Sequence, residues 1–151
     1  FWARFGRQPL NAPTVAAVHD TLDGLARLSR QRVGMEFKKL LLADRAADAL
    51  WLMHDHGVLP AVLDNSYARP DQVDAVRGLE TRLGLEPHVM RRLAALAASR
   101  TQTGWTIAAE PWRDRFALSN AETDHLHALH RAGQAVLWWT TRLLAALAVF
   151  D

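Results

Sequence analysis

The hydrophobic residues of this chain recur at helical spacing along most of its length. Segment 28–41 shows the pattern best, because its apolar residues share one face of a helix: Val33, Phe37, Leu40 and Leu41. Ser29 precedes them and suits a helix N-cap, since its hydroxyl can accept a hydrogen bond from an amide of the first turn. Period-two alternation with β-branched runs is absent. The pattern predicts an all-α fold, with one helix from residue 29 to about residue 43.

Capping residues and helix breakers place the other helices. Pro13 suits the first turn of a helix, Asp44 suits an N-cap and Gly57 suits a helix end. Ser119 and Glu122 have the spacing of a capping box. Further helices are therefore predicted at about 13–25, 44–56, 59–63, 71–83, 108–116 and 119–132, and from about 86 and 134 onward. Residues 101–106 are predicted to form a linker.

The polar segment 64–70, Asp-Asn-Ser-Tyr-Ala-Arg-Pro, is the strongest loop signal in the chain. A length of 151 residues fits one ordinary domain or two small helical ones. We therefore predict a helical array in two small subdomains, residues 1–63 and residues 64–151.

Composition narrows the classes of function without choosing one. Sixteen arginines outnumber two lysines, and the formal net charge is +2. Arginine binds phosphate through paired hydrogen bonds and stacks on flat rings, so this bias suits a nucleic-acid partner. A GC-rich genome produces the same bias without any function. The absence of cysteine excludes disulfides and thiolate metal sites and fits a reducing cytoplasm, which is the predicted location.

The most apolar segment, residues 135–150, does not suit a membrane span. Thr140, Thr141 and Arg142 interrupt it, and it is shorter than the roughly 20 apolar residues that a spanning helix needs. We expect a buried core helix there and no membrane partner.

Three separated segments carry one family pattern in the same order. The first is residues 1–6, Phe-Trp-Ala-Arg-Phe-Gly, and the third is residues 49–59, which contain Ala-Leu-Trp-Leu-Met and Gly-Val-Leu. Between them, segment 28–41 keeps the spacing of four polar residues: Ser29, Arg32, Glu36 and Lys39. Residues 118–122, Leu-Ser-Asn-Ala-Glu, add a weaker match. Together they resemble the region after the catalytic head in bacterial CCA-adding enzymes and poly(A) polymerases, the class II tRNA nucleotidyltransferases.

The resemblance implies an all-helical neck, body and tail that hold tRNA. In that family an N-terminal head with paired carboxylates uses Mg²⁺ and CTP or ATP. The head would precede Phe1, so we expect this chain to be a fragment of a longer parent, with no cofactor and no catalytic residue of its own. Its implied partners are the 3′ end and acceptor arm of tRNA and the missing head.

The resemblance also implies roles for individual residues. Segment 28–41 would support the nucleotide-reading helix as a structural buttress through Ser29, Arg32, Glu36 and Lys39. The plainer interpretation is a charged helix face in solvent. Candidate RNA-phosphate contacts are seven arginine and lysine residues: Arg4, Arg30, Lys38, Arg91, Arg92, Arg113 and Arg115. A solvated surface is the alternative for each of them.

The histidines do not indicate a metal site. Three of them fall within segment 125–130 on one predicted helix, but only two share a face and no carboxylate cluster joins them. Most zinc sites need three or four converging ligands. His54 and His56 suit the last turn of a helix, and His88 is expected at the surface.

Two other classes of function stay open from the sequence. One is a helical protein-interaction scaffold of the solenoid type. The other is a helix-turn-helix DNA binder, which is disfavoured because no basic recognition helix stands out.

Overall fold

Helices dominate the structure, a computed structural model that describes residues 3, 10–64, 68–101, 104–107 and 109–147, with side chains up to residue 98 and from 110 to 133. A 3₁₀ helix, Leu22–Arg27, follows the first helix directly. The α-helices with both ends in these ranges are α1 (Ala12–Thr21), α2 (Arg30–Leu41), α3 (Ala46–Asp55), α4 (Val58–Leu63), α5 (Pro70–Arg82), α6 (Val89–Ala97), α7 (Ala109–Phe116) and α8 (Asn120–Leu147). The predicted all-α class is confirmed.

A two-stranded hairpin lies where the sequence predicted a linker. Strands β1 (Ala98–Thr101) and β2 (Gly104–Ile107) pair antiparallel, with Ala98 opposite Ile107 and Thr101 opposite Gly104. The linker prediction for residues 101–106 was wrong because four-residue strands are too short for a period-two pattern to stand out. The hairpin is a local exception within the helical fold.

Several helix starts lie where their capping residues predicted. Helix α1 begins next to the predicted Pro13, and its N-cap, which was not predicted, is Asn11, whose side chain accepts a hydrogen bond from the Thr14 amide at 2.9 Å. Ser29 caps α2, with 3.2 Å between its Oγ and the Arg32 amide nitrogen. Ser119 and Glu122 form the predicted capping box: the Ser119 amide donates to Glu122 Oε2 at 2.8 Å, and the Glu122 amide donates to Ser119 Oγ at 3.2 Å. These local signals therefore fixed the starts of α1, α2 and α8.

Two predicted boundaries were wrong. Asp44 does not cap α3; the N-cap is Arg45, which makes no side-chain cap bond and instead pairs with Asp48 at 2.9 Å. The break predicted between residues 132 and 134 is also absent, since α8 is one continuous helix of 28 residues. A single glycine inside a helix costs only about 1 kcal/mol, so Gly133 does not have to end one. No helix in the described part of the chain is long and apolar enough to cross a membrane.

One main hydrophobic core joins the helices from α2 to α8. The predicted apolar stripe of α2 faces this core: Phe37 and Leu41 are buried, and Val33 and Leu40 pack beside them. Its most enclosed side chains come from both sides of the predicted boundary after residue 63: Leu41, Leu50, Leu59, Val73, Leu93, Leu96, Phe116 and Leu126. The boundary coincides with the end of α4, and the functional division into two subdomains stays a prediction.

Candidate nucleic-acid interface

The start of α2 presents cations to solvent. Arg30 and Arg32 in its first turn are exposed, and so is Arg27, the last residue of the 3₁₀ helix that precedes it. In the ranges that the structure describes, none of these three guanidinium groups has a hydrogen-bond or ion-pair partner at contact distance. Unpaired surface cations create a positive potential that attracts an anionic ligand. The start of α2 is therefore the first candidate surface for RNA.

The four predicted buttress residues all lie on α2 or at its cap, and they have different surroundings. Glu36 pairs with Lys39 at 2.9 Å, and this hydrogen bond, followed by the charge of Lys39, holds the pKa of Glu36 below its usual value. Arg32 contributes a weaker attraction from the same helix. All three side chains are exposed, so the pairing has the geometry of a solvent-facing helix pair, whose stabilisation is small. The buttress role stays a prediction.

The other end of α2 is packed. Ala3 is buried together with Ala43 and Ala49, with Leu40 beside them. The described part of the N-terminal segment therefore contacts the C-terminal end of α2. Arg4, a predicted RNA contact, lies outside the described residues.

The backbone of α7 packs directly against the backbone of α2 at Gly34. A Cβ atom on Gly34 would lie 2.0 Å from the Phe116 carbonyl oxygen, so only glycine permits this contact. One turn along, the rings of Phe37 and Phe116 stack with 4.5 Å between their centroids and 14° between their planes. Trp112 is buried and meets Phe116 edge-on at 5.6 Å. These contacts fix the end of α7 against the middle of α2.

A groove runs between α2 and α7, formed by three adjoining clefts that Arg30 lines in common. One cleft, of about 210 Å³, lies between Arg30, Arg115 and the loop at Asp64. A second opens between Arg30, Gln31 and Arg113. The second cleft measures about 460 Å³ and the third, between Arg30, Val62 and Arg115, about 190 Å³. We call this feature the α2–α7 groove.

Two predicted phosphate contacts on α7 lie in this groove. Arg115 is partly buried and donates hydrogen bonds to the carbonyl oxygens of Val62 and Ala61 at the end of α4. Arg113 is exposed and donates to Asn120 Oδ1 at 3.0 Å. Both sets of acceptors are neutral, so no hydrogen-bonded carboxylate compensates the positive charge of either guanidinium. The structure thus brings Arg30, Arg113 and Arg115 together.

Two of the predicted RNA contacts are used for folding instead. Arg92 is buried; its Nε donates to Glu80 Oε2 at 2.9 Å and its Nη1 donates to the Leu41 carbonyl oxygen at 2.7 Å. The prediction that Arg92 contacts RNA was therefore wrong, because its charged group has no path to solvent phosphate. Arg91 pairs with Glu80 Oε1 at 3.0 Å and also donates to the Glu86 carbonyl oxygen. Its guanidinium is thus paired with a carboxylate within the fold, and its contact with RNA stays a prediction.

Glu80 is the acceptor at the centre of this buried cluster. Burial is the largest influence and raises the pKa of Glu80, but hydrogen bonds from Arg92, Arg91 and the His88 amide together outweigh it and leave the pKa below its usual value. The carboxylate therefore stays charged, as a buried ion cluster requires. His88, expected at the surface, is partly buried and caps α6 by accepting a hydrogen bond from the Met90 amide at 3.2 Å.

Lys38 joins helices and does not stand free for RNA. Its Nζ lies 2.7 Å from Glu122 Oε1, and both side chains are partly buried. Glu122 is also the capping-box residue of α8. Burial raises the pKa of Glu122. Hydrogen bonds from Lys38 and Ser119 together lower the pKa by more than burial raises it, so the net shift is downward. The ammonium group of Lys38 thus has a carboxylate partner within the fold, and its contact with phosphate stays a prediction.

Sequence reasoning missed two acidic residues of the groove, Asp64 and Asp114, which line it beside the arginines. It also missed the role of Gly34. A glycine at the centre of an otherwise strong helix pattern was the available signal, since glycine is unfavourable there without a packing reason. No group of three or more histidine, cysteine, aspartate or glutamate residues in the described part of the chain is arranged to hold a metal ion.

The comparison with known families concerns the N-terminal part of the chain. Residues 10–67 match the family model described as "Probable RNA and SrmB- binding site of polymerase A". No curated protein and no solved structure matches the chain. The matched segment contains α1 to α4, with Ser29 and Arg30, and leaves α7 outside. The match supports a relation between this segment and the poly(A) polymerase family.

Proposed function

We propose that this chain binds RNA through the exposed start of α2, and that the RNA is a tRNA held by its acceptor arm and 3′ end. The observation that carries the proposal is a coincidence of two findings. The segment that matches the polymerase A RNA-binding model also contains Arg27, Arg30 and Arg32, whose guanidinium groups face solvent without partners in the described chain. Guanidinium groups bind phosphate bidentately, and phosphate contacts dominate RNA affinity.

The proposal includes a division of labour. The chain positions the RNA 3′ end, and an N-terminal nucleotidyltransferase head adds nucleotides from CTP or ATP with Mg²⁺. The resemblance of segments 1–6, 28–41 and 49–59 to class II tRNA nucleotidyltransferases supports this part. The residues of this chain contribute binding and orientation, which lower the entropic cost of bringing the 3′ end to a reaction centre.

The proposal is tested by titrating the 151-residue chain into fluorescein-labelled tRNA at 50 and 200 mM salt. We expect binding that weakens steeply as salt rises, because each phosphate contact releases counterions. tRNA without its single-stranded 3′ end should bind more weakly than complete tRNA. Arg30→Gln should weaken binding about fivefold, while the matched control Arg82→Gln, at an exposed position on α5 outside the matched segment, should not.

The outcomes separate the parts of the proposal. Absence of tRNA binding at 50 mM salt would refute the RNA-binding function. Equal affinity for complete and truncated tRNA would keep RNA binding and remove the 3′-end role. Equal losses in Arg30→Gln and Arg82→Gln would show nonspecific attraction and no site at α2.

A protein-interaction scaffold is the second candidate, because large apolar side chains are exposed at the C-terminal end of α5. Leu83 is 67% exposed at the end of α5, with Leu79 and Leu85 close to it in sequence and about half exposed. Contiguous exposed apolar surface often marks a protein interface. Concentration-dependent self-association that Leu83→Lys abolishes, without a change in tRNA binding, would support this function alongside the first.

A further inference from the structure

We infer that α7 forms the second wall of the RNA site, and that Arg113 and Arg115 bind RNA backbone phosphates next to the phosphate bound by Arg30. This inference rests on the proposed RNA-binding function. It goes beyond the matched segment, because α7 begins about 40 residues after residue 67, where the family match ends. The RNA surface would then be built from two separate parts of the chain.

The groove geometry is the first support. Arg30 lines all three clefts of the α2–α7 groove; Arg113 shares one of them and Arg115 shares the other two. Three guanidinium groups from two helices therefore line a depression made of three clefts that have Arg30 in common. A chain of phosphates along that depression can meet a cation on either side, which a single helix face could not offer.

The rigidity of α7 is the second support. Gly34 lets the backbone of Phe116 touch α2, and the stacked pair Phe37 and Phe116 fills the space next to this contact. The wall that carries Arg113 is thus fixed by the buried contacts of Phe116, which lies one turn along α7 from Arg113. Groups held in place before binding lose less entropy when the ligand arrives, so a fixed wall raises affinity.

Arg115 supplies the third support. Its guanidinium is oriented by hydrogen bonds to the carbonyl oxygens of Ala61 and Val62. These acceptors occupy two of its donors, and because they are neutral they do not compensate its charge. A planar guanidinium has five N–H donors, so the remaining ones can face the groove. The carbonyls hold the group in one orientation, as the neighbours of a binding residue must.

Two carboxylates in the groove allow a test in which a substitution should raise the affinity for RNA. Asp114 lines the groove between Arg113 and Arg115, and Asp64 lies at its end beside Leu63. Asp114 is exposed and repels a nearby phosphate, so removing its charge should tighten RNA binding. If the arginines beside Asp114 do not touch RNA, removing the charge of Asp114 should change the affinity no more than removing any other surface carboxylate.

The decisive experiment measures affinity for the same labelled tRNA at several salt concentrations in three single variants. Arg113→Gln should weaken binding about fivefold and reduce the slope of log affinity against log salt by about one contact. Asp114→Asn should tighten binding about threefold. Asp124→Asn on α8, an exposed aspartate outside the groove, is the matched control for Asp114 and should change affinity much less.

The results distinguish this inference from the proposed function. If Arg30→Gln weakens binding and Arg113→Gln behaves like the control Arg82→Gln, α7 is not part of the site and the inference is overturned, while RNA binding stands. If Asp114→Asn and Asp124→Asn change affinity equally, the inference also fails. If the unmodified chain does not bind tRNA, both the function and the inference fail. Circular-dichroism melting of each variant confirms that a change in affinity does not come from unfolding.

Discussion

The two ends of α2 use arginine in opposite ways. At the C-terminal end, the buried Arg92 donates to the Leu41 carbonyl oxygen and pairs with Glu80, so its charge is compensated inside the protein. At the N-terminal end, Ser29 satisfies the backbone, and Arg30 is left exposed beside the groove. The buried cation at the C-terminal end therefore stabilises the fold. At the N-terminal end the Ser29 hydroxyl caps the helix, and the nearby arginines are available to a ligand. The comparison predicts that mutations at the two ends affect different properties.

The largest expected effect is a loss of stability in Arg92→Leu. Removing one partner of a buried ion cluster leaves Glu80 with less compensation and the Leu41 carbonyl without its donor, which costs roughly 3 kcal/mol. Urea unfolding followed by circular dichroism measures the change. The double variant Glu80→Leu/Arg92→Leu should recover part of the loss, because it removes the unpaired charge. A loss below about 1 kcal/mol in Arg92→Leu would contradict the structural role assigned to this residue.

The next largest effect is expected at the contact that joins α2 to α7. In Gly34→Ala the new methyl group would overlap the Phe116 carbonyl, so α7 must move, at a cost of about 2 kcal/mol. Gly78→Ala on α5 is the matched control: nothing lies within 4 Å of its Cβ position, so this variant should be stabilised by about 0.5–1 kcal/mol. Thermal unfolding compares the two. Equal effects of both substitutions would mean that the close approach of α7 does not constrain the fold.

The smallest expected effect is a pH dependence at the start of α6. Burial, then the charges of His125 and Arg91, lower the pKa of His88, against an opposing attraction from Glu80. The rings of His88 and His125 lie 4.8 Å apart between centroids. Because the folded pKa is below the unfolded value near 6.5, the unfolded state takes up more protons on acidification. The free energy of unfolding should therefore fall as pH drops from about 7 through 6.5 toward the lowered pKa.

A matched variant isolates this contribution. His88→Asn keeps a side chain that can cap α6 and removes the titrating group, so the decline in stability between pH 7 and pH 5 should become shallower. The contribution of Glu80, whose pKa is lowered, is present above about 4.5 and is lost only below that value. An unchanged slope between pH 7 and pH 5 in His88→Asn would assign the dependence to another histidine.

The sequence predicted the features of the fold that depend on local patterns. The N-caps at Ser29 and Ser119 and the apolar stripe of α2 follow from hydrogen bonding and periodicity within one turn or two. Local patterns did not predict the hairpin β1–β2 or the continuity of α8. Strands of four residues leave almost no periodic signal, and neither does a glycine that continues a helix.

Predicting the site from the sequence succeeded only in part, and for a different reason. Arg30, Arg92 and Arg113 look alike in the sequence, and only the packing of distant segments buries one and exposes the other two. The Gly34 contact and the acidic Asp114 became visible only when α7 was placed against α2. Local chemistry identifies candidate residues, and tertiary contacts decide which of them can meet a ligand.

The grip of Arg115 on α4 has a consequence for the whole chain. The guanidinium that faces the groove also satisfies the last carbonyls of a six-residue helix, a length that is not stable without tertiary contacts. Occupancy of the groove and the integrity of α4 are therefore thermodynamically linked. A ligand that binds Arg115 lowers the population of the locally opened helix, and a frayed α4 lowers the apparent affinity of the groove.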